Sequence, residues 1–201
     1  MARSKFRLAW TLVVFLFAGL LPVGCTNPPP RAVYPDIRFS GAPLQLDAAD
    51  VLAIEVNYKP AYRDPYVEHL FPVPPVRALE NWPRDRLRAA GSANHVRFTV
   101  LDASVRETPL EKTPGIQGTF TREQSERYDA VIEARLEIVD DKRFVSHSAT
   151  ARVTRSQTVP EGITPNEREQ IWYDMTRAIM TDFDQAMEQN VRNNFGLGLL
   201  R

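Results

Sequence analysis

The chain has 201 residues with 25 basic and 25 acidic side chains, three histidines and one cysteine. Balanced charge supplies no electrostatic footprint for nucleic acid, and one cysteine excludes an internal disulfide or a soft-metal thiolate cluster. The length suffices for one domain with a sizeable core.

At the start of the chain, Arg3, Lys5 and Arg7 precede an apolar run from Leu8 to Val23, the pattern of a secretory signal. About sixteen apolar residues fall short of the roughly 20 that cross a hydrocarbon core. The lone cysteine closes this run in Leu20-Leu21-Pro22-Val23-Gly24-Cys25-Thr26. That segment resembles the bacterial lipoprotein signal: Gly24 fits the place before the cysteine, while Pro22 stands where leucine is usual and Leu21 lies one place early. The resemblance implies that residues 1–25 are a signal peptide and that Cys25 becomes the lipidated mature N-terminus. Ordinary cleavage and an uncleaved anchor are the alternatives. Thr26 replaces the aspartate of the inner-membrane retention signal, so the resemblance implies the periplasmic face of the outer membrane. Several acyl chains at about 0.8 kcal/mol per buried methylene hold a protein where one chain does not. Without its first 25 residues the chain keeps 176 residues and, having lost three basic ones, carries a net charge of −3. No basic cluster follows Cys25, so membrane contact is expected through lipid, not through a charged face.

Residues 26–45 are expected to form a proline-rich linker, since Thr26 to Asp36 is rich in proline and lacks apolar periodicity. Polyproline geometry would hold the body on the order of 30 Å from the bilayer; a disordered leader is the alternative. The folded domain is assigned to residues 46–201. Leu52, Ile54, Val56 and Tyr58 share one face of a first strand. From Pro60 to Pro75 the chain is too proline-rich for regular structure, and Tyr62, Tyr66 and Phe71 form a candidate partner surface, because stiffened aromatics lose little entropy on docking. A loop covering the sheet edge is the plainer alternative. Pro75 to Ala90 has Val76, Leu79, Trp82 and Leu87 near helical spacing, with Pro83 predicting a kink or two short helices and Gly91 a stop.

From His95 to Glu107, Val96, Phe98 and Val100 alternate in one phase and Leu101, Ala103 and Val105 in the other, which predicts a bulge near Leu101. Tyr128, Ala130, Ile132, Ala134, Leu136 and Ile138 line one face of a long strand. After the polar turn Asp140-Asp141-Lys142-Arg143, Val145, Ala149, Ala151 and Val153 continue a buried face, making a hairpin. Thr164-Pro165-Asn166-Glu167 is a helix-capping sequence. Ile171, Met175, Ile179, Phe183, Met187, Val191 and Phe195 then make an apolar stripe about 45 Å long, better suited to sheet packing than to a partner groove.

This order predicts an α+β, two-layer sandwich: a mainly antiparallel sheet of about four strands, with a short helix and a long C-terminal helix on one face. The layout of anchor, spacer, strand, Trp82–Leu87 helix, meander and terminal helix resembles the auxiliary lipoproteins of ABC-type lipid transport systems. It is similar in the same way to the lipopolysaccharide-assembly lipoprotein that plugs an outer-membrane barrel. Either resemblance implies a non-enzymatic periplasmic subunit that binds an envelope protein partner or a lipid. Chemistry is sparse: His69, His95 and His147 lack metal-binding spacing, and no nucleophile elbow, phosphate loop or dinucleotide glycine pattern occurs. No catalytic, cofactor-binding or metal-binding residues are therefore expected. Asp140-Asp141 reads as a turn, Asp182 and Asp184 as a solvated helix side, and His147 as a core histidine beside Val145 and Ala149. The remaining enzymatic alternative is a hydrolase with a dispersed site, in which His95 or His147 would meet Asp102 or Asp129.

Overall fold

In the computed structural model the described residues are 32–111 and 123–200. Cys25, the signal segment 1–25 and residues 26–31 of the expected linker lie outside them. The elements are β1 (Leu44–Leu46), β2 (Asp50–Val56), a 3-10 turn (Glu68–Leu70), α1 (Pro75–Arg86), β3 (Leu87–Ala89), β4 (His95–Pro109), β5 (Gln124–Val139), β6 (Val145–Pro160) and α2 (Pro165–Leu199). The main sheet has the order β2-β4-β5-β6, with β2 parallel to β4 and the other pairs antiparallel. A second, two-stranded parallel sheet joins β1 to β3. The α+β class is therefore as predicted.

The bulge falls where the change of phase required it. Pairing between β4 and β5 runs to Val100↔Ala134 and resumes at Asp102↔Glu133. One extra residue, Leu101, restores the inward phase, so Val96, Phe98, Val100, Ala103 and Val105 are all buried on one face. Tyr128 to Ile138 of β5 bury the alternate positions named above, and Ala149 and Ala151 leave room for α2 to lie over β6. The opposite face carries ion pairs, including Arg97–Glu137 at 2.9 Å and Arg152–Glu133 at 2.6 Å. The exposed Arg152–Glu133 pair adds little, whereas Glu137 is buried, at 7% exposed, and is held by Arg97.

The cap of α2 forms as read: Glu167 donates its amide to Thr164 Oγ1 at 3.3 Å, and Thr164 N donates to Glu167 Oε2 at 2.7 Å. The buried stripe is wider than predicted. Trp172, Thr176 and Met180 join Met175, Ile179, Phe183, Met187, Val191 and Phe195, while Ile171 is half-buried, because α2 packs on α1 and, through Trp172, on Phe71 as well as on the sheet. Helical geometry breaks at Gly196 (φ 64°), and Leu200 bridges back to Leu46.

Several expectations need correction. The linker assigned to residues 26–45 is part of the domain from Ala32 onward. Tyr34 OH donates to Asn166 O at 3.4 Å and its ring lies 5.2 Å from Tyr173. Ile37 is buried, Asn81 donates to its carbonyl, Asp36 pairs with Arg77 at 2.9 Å, and Arg38 Nε donates to Asp85 at 2.9 Å. Residues 32–43 thus form a strap over both helices, held by a few apolar side chains and charges complementary to α1. α1 is one helix, with Pro83 in its last turn, and Leu87 enters a strand. Gly91 is needed for close approach rather than as a helix stop, since a Cβ there would meet Asp47 Oδ1 at 2.2 Å.

Asp184 is not a solvated side chain. Its Oδ1 accepts from Trp82 Nε1 and Arg86 Nε, both at 2.7 Å. Arg86, only 1% exposed, also donates to Glu188 and to Ala42 O, which ties α1, α2 and the strap together. Gly41 makes room for it, because a Cβ would lie 2.4 Å from the guanidinium. Finally, Val145 and His147 are exposed. The buried row of α2 ends at Phe195, whose ring lies 6.1 Å from His147, and Val145 extends beyond it.

Candidate functional site

Residues 57–74 lead from the end of β2 to α1 along the outer edge of β4. Val67 N donates to Val105 O at 2.9 Å, Glu107 N donates to Pro65 O at 2.8 Å, and Tyr66 bridges to Arg106. The loop therefore covers the part of β4 that β2 is too short to reach, as the plainer alternative required. Its base is locked by a buried carboxylate. Glu68 Oε1 accepts from Tyr58 OH at 2.5 Å, and Oε2 accepts from Val105 N at 3.2 Å. Burial, then the Glu68 hydrogen bond, push the Tyr58 phenol well above its ordinary range, so it remains a donor.

The three aromatics of the predicted surface separate here. Phe71 is 4% exposed, stacked on Trp172 with ring centres 5.0 Å apart, and edge-on to Tyr128 at 6.5 Å. It belongs to the core, which corrects its place in the partner surface: the proline-rich stretch turns inward at the 3-10 helix and α2 supplies an aromatic slot. Tyr62 is 70% exposed in left-handed backbone geometry (φ 52°), its ring 5.2 Å from His69. Tyr66 is 37% exposed, and Leu70, which sequence reasoning passed over, is 53% exposed. A lone leucine between a histidine and a phenylalanine carries no periodic signal.

The histidine–carboxylate pairs suggested for a hydrolase do not form. His95 Nδ1 meets Asp50 Oδ1 at 2.7 Å, and Nε2 meets Asp141 Oδ1 at 3.0 Å. Asp102 accepts from Ser104 N, and Asp129 partners Arg127 and Ser156. The Asp50 hydrogen bond, followed by that of Asp141, raises the His95 pKa above its ordinary value. Arg168 makes a second cluster at the start of α2, donating to Glu126 and Tyr128 with its guanidinium 5.9 Å from the Trp172 ring centre. The Arg168 hydrogen bonds hold the Glu126 carboxyl below the usual carboxylate range. Among the described residues no group of three or more His, Cys, Asp or Glu side chains is arranged to hold a metal ion, and no helix is long and apolar enough to cross a membrane.

No family profile matches the chain, and no curated protein matches it. Similar solved structures exist. A minor lipoprotein from Acinetobacter baumannii is 14% identical with a TM-score of 0.38, over 74% of this chain and 94% of that one. A protein from Caulobacter crescentus provisionally described as a lipoprotein is 14% identical with a TM-score of 0.33, over 69% and 86%. A Xanthomonas campestris protein of the family designated DUF330 is 14% identical with a TM-score of 0.27, over 81% and 90%. Likeness at this level assigns no role to the chain.

Proposed function

We propose that this protein is a lipid-anchored periplasmic subunit, attached through Cys25 to the outer membrane, that binds an envelope protein partner without catalysing a reaction. Support comes above all from the loop of residues 57–74, which presents Tyr62, Tyr66 and Leu70 outward from a base locked by Glu68 and Phe71. Exposed aromatics on a preordered base dock at low entropic cost. His95 engages both ring nitrogens with carboxylates at the ends of β2 and of the β5–β6 turn, a clamp rather than a poised base. The resemblance in layout to auxiliary lipoproteins extends the proposal to an envelope lipid-transport system, with a lipid as the alternative ligand.

The test has two arms. Cys25→Ser should move the protein out of the membrane fraction and remove the lipid mass from the mature N-terminus; unchanged fractionation and mass overturn the anchor. Tyr62→Ser with Tyr66→Ser should abolish a specific crosslink to a protein partner in native membranes while the melting temperature stays within about 2 °C. A crosslink retained by the folded variant overturns the loop as the binding surface.

A further inference from the structure

The main sheet has two edges without a partner strand among the described residues, β2 and β6, and they differ. On β6, Asn190 Nδ2 donates to Thr150 O at 2.8 Å and Gln157 Nε2 donates to Thr158 O at 3.0 Å, so two carbonyls of that strand are already occupied. Side chains and charges of this sort blunt an edge against pairing. The β2 edge has another character. Asn57 donates its amide to Val100 O at 3.0 Å. By the alternation of a strand, Glu55 also faces β4, while Ile54 and Val56 turn their N–H and C=O groups away from the sheet. Val56 is itself 38% exposed.

Beside this edge lies a groove of about 440 Å³ lined by Val51, Ala53, Ile54, Pro83, Arg84 and Leu87. One wall is the edge strand and the other is the end of α1 with the start of β3. The floor is apolar and, among the described residues, Arg84 is the one charged side chain that lines it. We propose that this edge and groove receive an extended segment of a partner polypeptide, which adds to the sheet beside β2 with apolar side chains in the groove and an acidic side chain against Arg84. An acyl chain fits the apolar floor but leaves the outward N–H and C=O groups of Ile54 and Val56 without partners as it covers them, a costly outcome that a strand avoids. A second copy pairing through β2 would bring Asp50 and Glu55 of both chains together, which like-charge repulsion disfavours. The site is separate from Tyr62 and Tyr66 and stands whether or not they bind a partner.

The probe is a capped heptapeptide of alternating valine and threonine with one central aspartate, titrated into the full mature chain in detergent micelles. Saturation should slow amide hydrogen exchange at Ile54 and Val56 by about tenfold. The same peptide N-methylated on the amides that face β2 should not bind. Arg84→Glu should weaken binding by about fivefold or more, and exchanging the aspartate for lysine should restore it. Val56→Pro removes one outward donor at an edge position that tolerates proline and should reduce binding with little change in melting temperature. Equal binding of the N-methylated peptide would show an apolar cavity ligand only, and protection that rises with protein concentration in the absence of peptide would show self-pairing. Either result, or no binding at millimolar peptide, overturns the proposal.

Discussion

Asp184→Ala removes the acceptor shared by Trp82 Nε1 and Arg86 Nε. Trp82 is fully buried between Phe98 and Phe183, at 5.4 and 5.7 Å, so its indole N–H has no water to turn to. An orphaned buried donor costs about 1–3 kcal/mol. Arg86 keeps Glu188 and Ala42 O. The guanidinium therefore loses one charge-assisted bond of several, and the whole change should cost about 2–4 kcal/mol. With a urea slope near 2 kcal/mol/M, the midpoint should fall by about 1–2 M. Asp184→Asn retains an acceptor oxygen and should lose roughly half as much. Asp182, two residues away, pairs with Arg155 at 2.7 Å with both side chains more than a third exposed, and Asp182→Ala should cost under about 1 kcal/mol. Urea unfolding followed by far-UV circular dichroism measures all three. Equal midpoints for Asp184→Ala and Asp182→Ala, or a larger loss for Asp184→Asn than for Asp184→Ala, would refute the shared-acceptor argument.

Two further predictions follow from the site. Phe71→Ala should lower stability by about 3–5 kcal/mol because it empties the slot against Trp172 and Tyr128, whereas Tyr62→Ala should stay within about 0.5 kcal/mol; thermal or urea unfolding of the pair decides. The His95 clamp has a definite sign with pH. Its pKa is raised in the folded chain, so its contribution is complete below the unfolded value near 6.5 and is lost as pH rises through the folded value. The stability difference between wild type and His95→Gln should therefore be larger at pH 5.5 than at pH 9, and a difference that grows with pH contradicts the clamp.

What the sequence made legible was whatever repeats. The change of phase at Leu101 and the four-residue step along α2 are periodic signals, and each mapped onto burial. The strap was illegible because an irregular segment has no period. Ile37 and Phe39 stand alone, and their partners Asn81 and Asp85 lie 44 and 46 residues away. Arg86 and Asp184 are 98 residues apart, and a charged residue on a helix reads as solvated until its buried partner is known. Proline density misassigned Phe71 for a related reason: composition describes a segment, while burial belongs to a side chain. The division of labour in the loop, with Phe71 and Glu68 inward and Tyr62 and Leu70 outward, is set by what α2 and β4 place against it.

The strap also has a mechanical meaning. A load applied at Ala32 meets the strap's attachments in series: first Tyr34 on Asn166 and Tyr173, then Asp36 on Arg77, then Arg38 on Asp85, and only afterwards the Arg86 node and the β1–β3 ladder. Contacts pulled in series yield one at a time, each at low force, and every residue freed lengthens the leash by up to about 3.5 Å. Under the proposed attachment through Cys25, small displacements would draw on the first few residues of the strap and return them, while the sheet and its long helix remain unstressed. Peeling past Ala42 would expose the Arg86 guanidinium, so the buried charge marks the limit of safe extension.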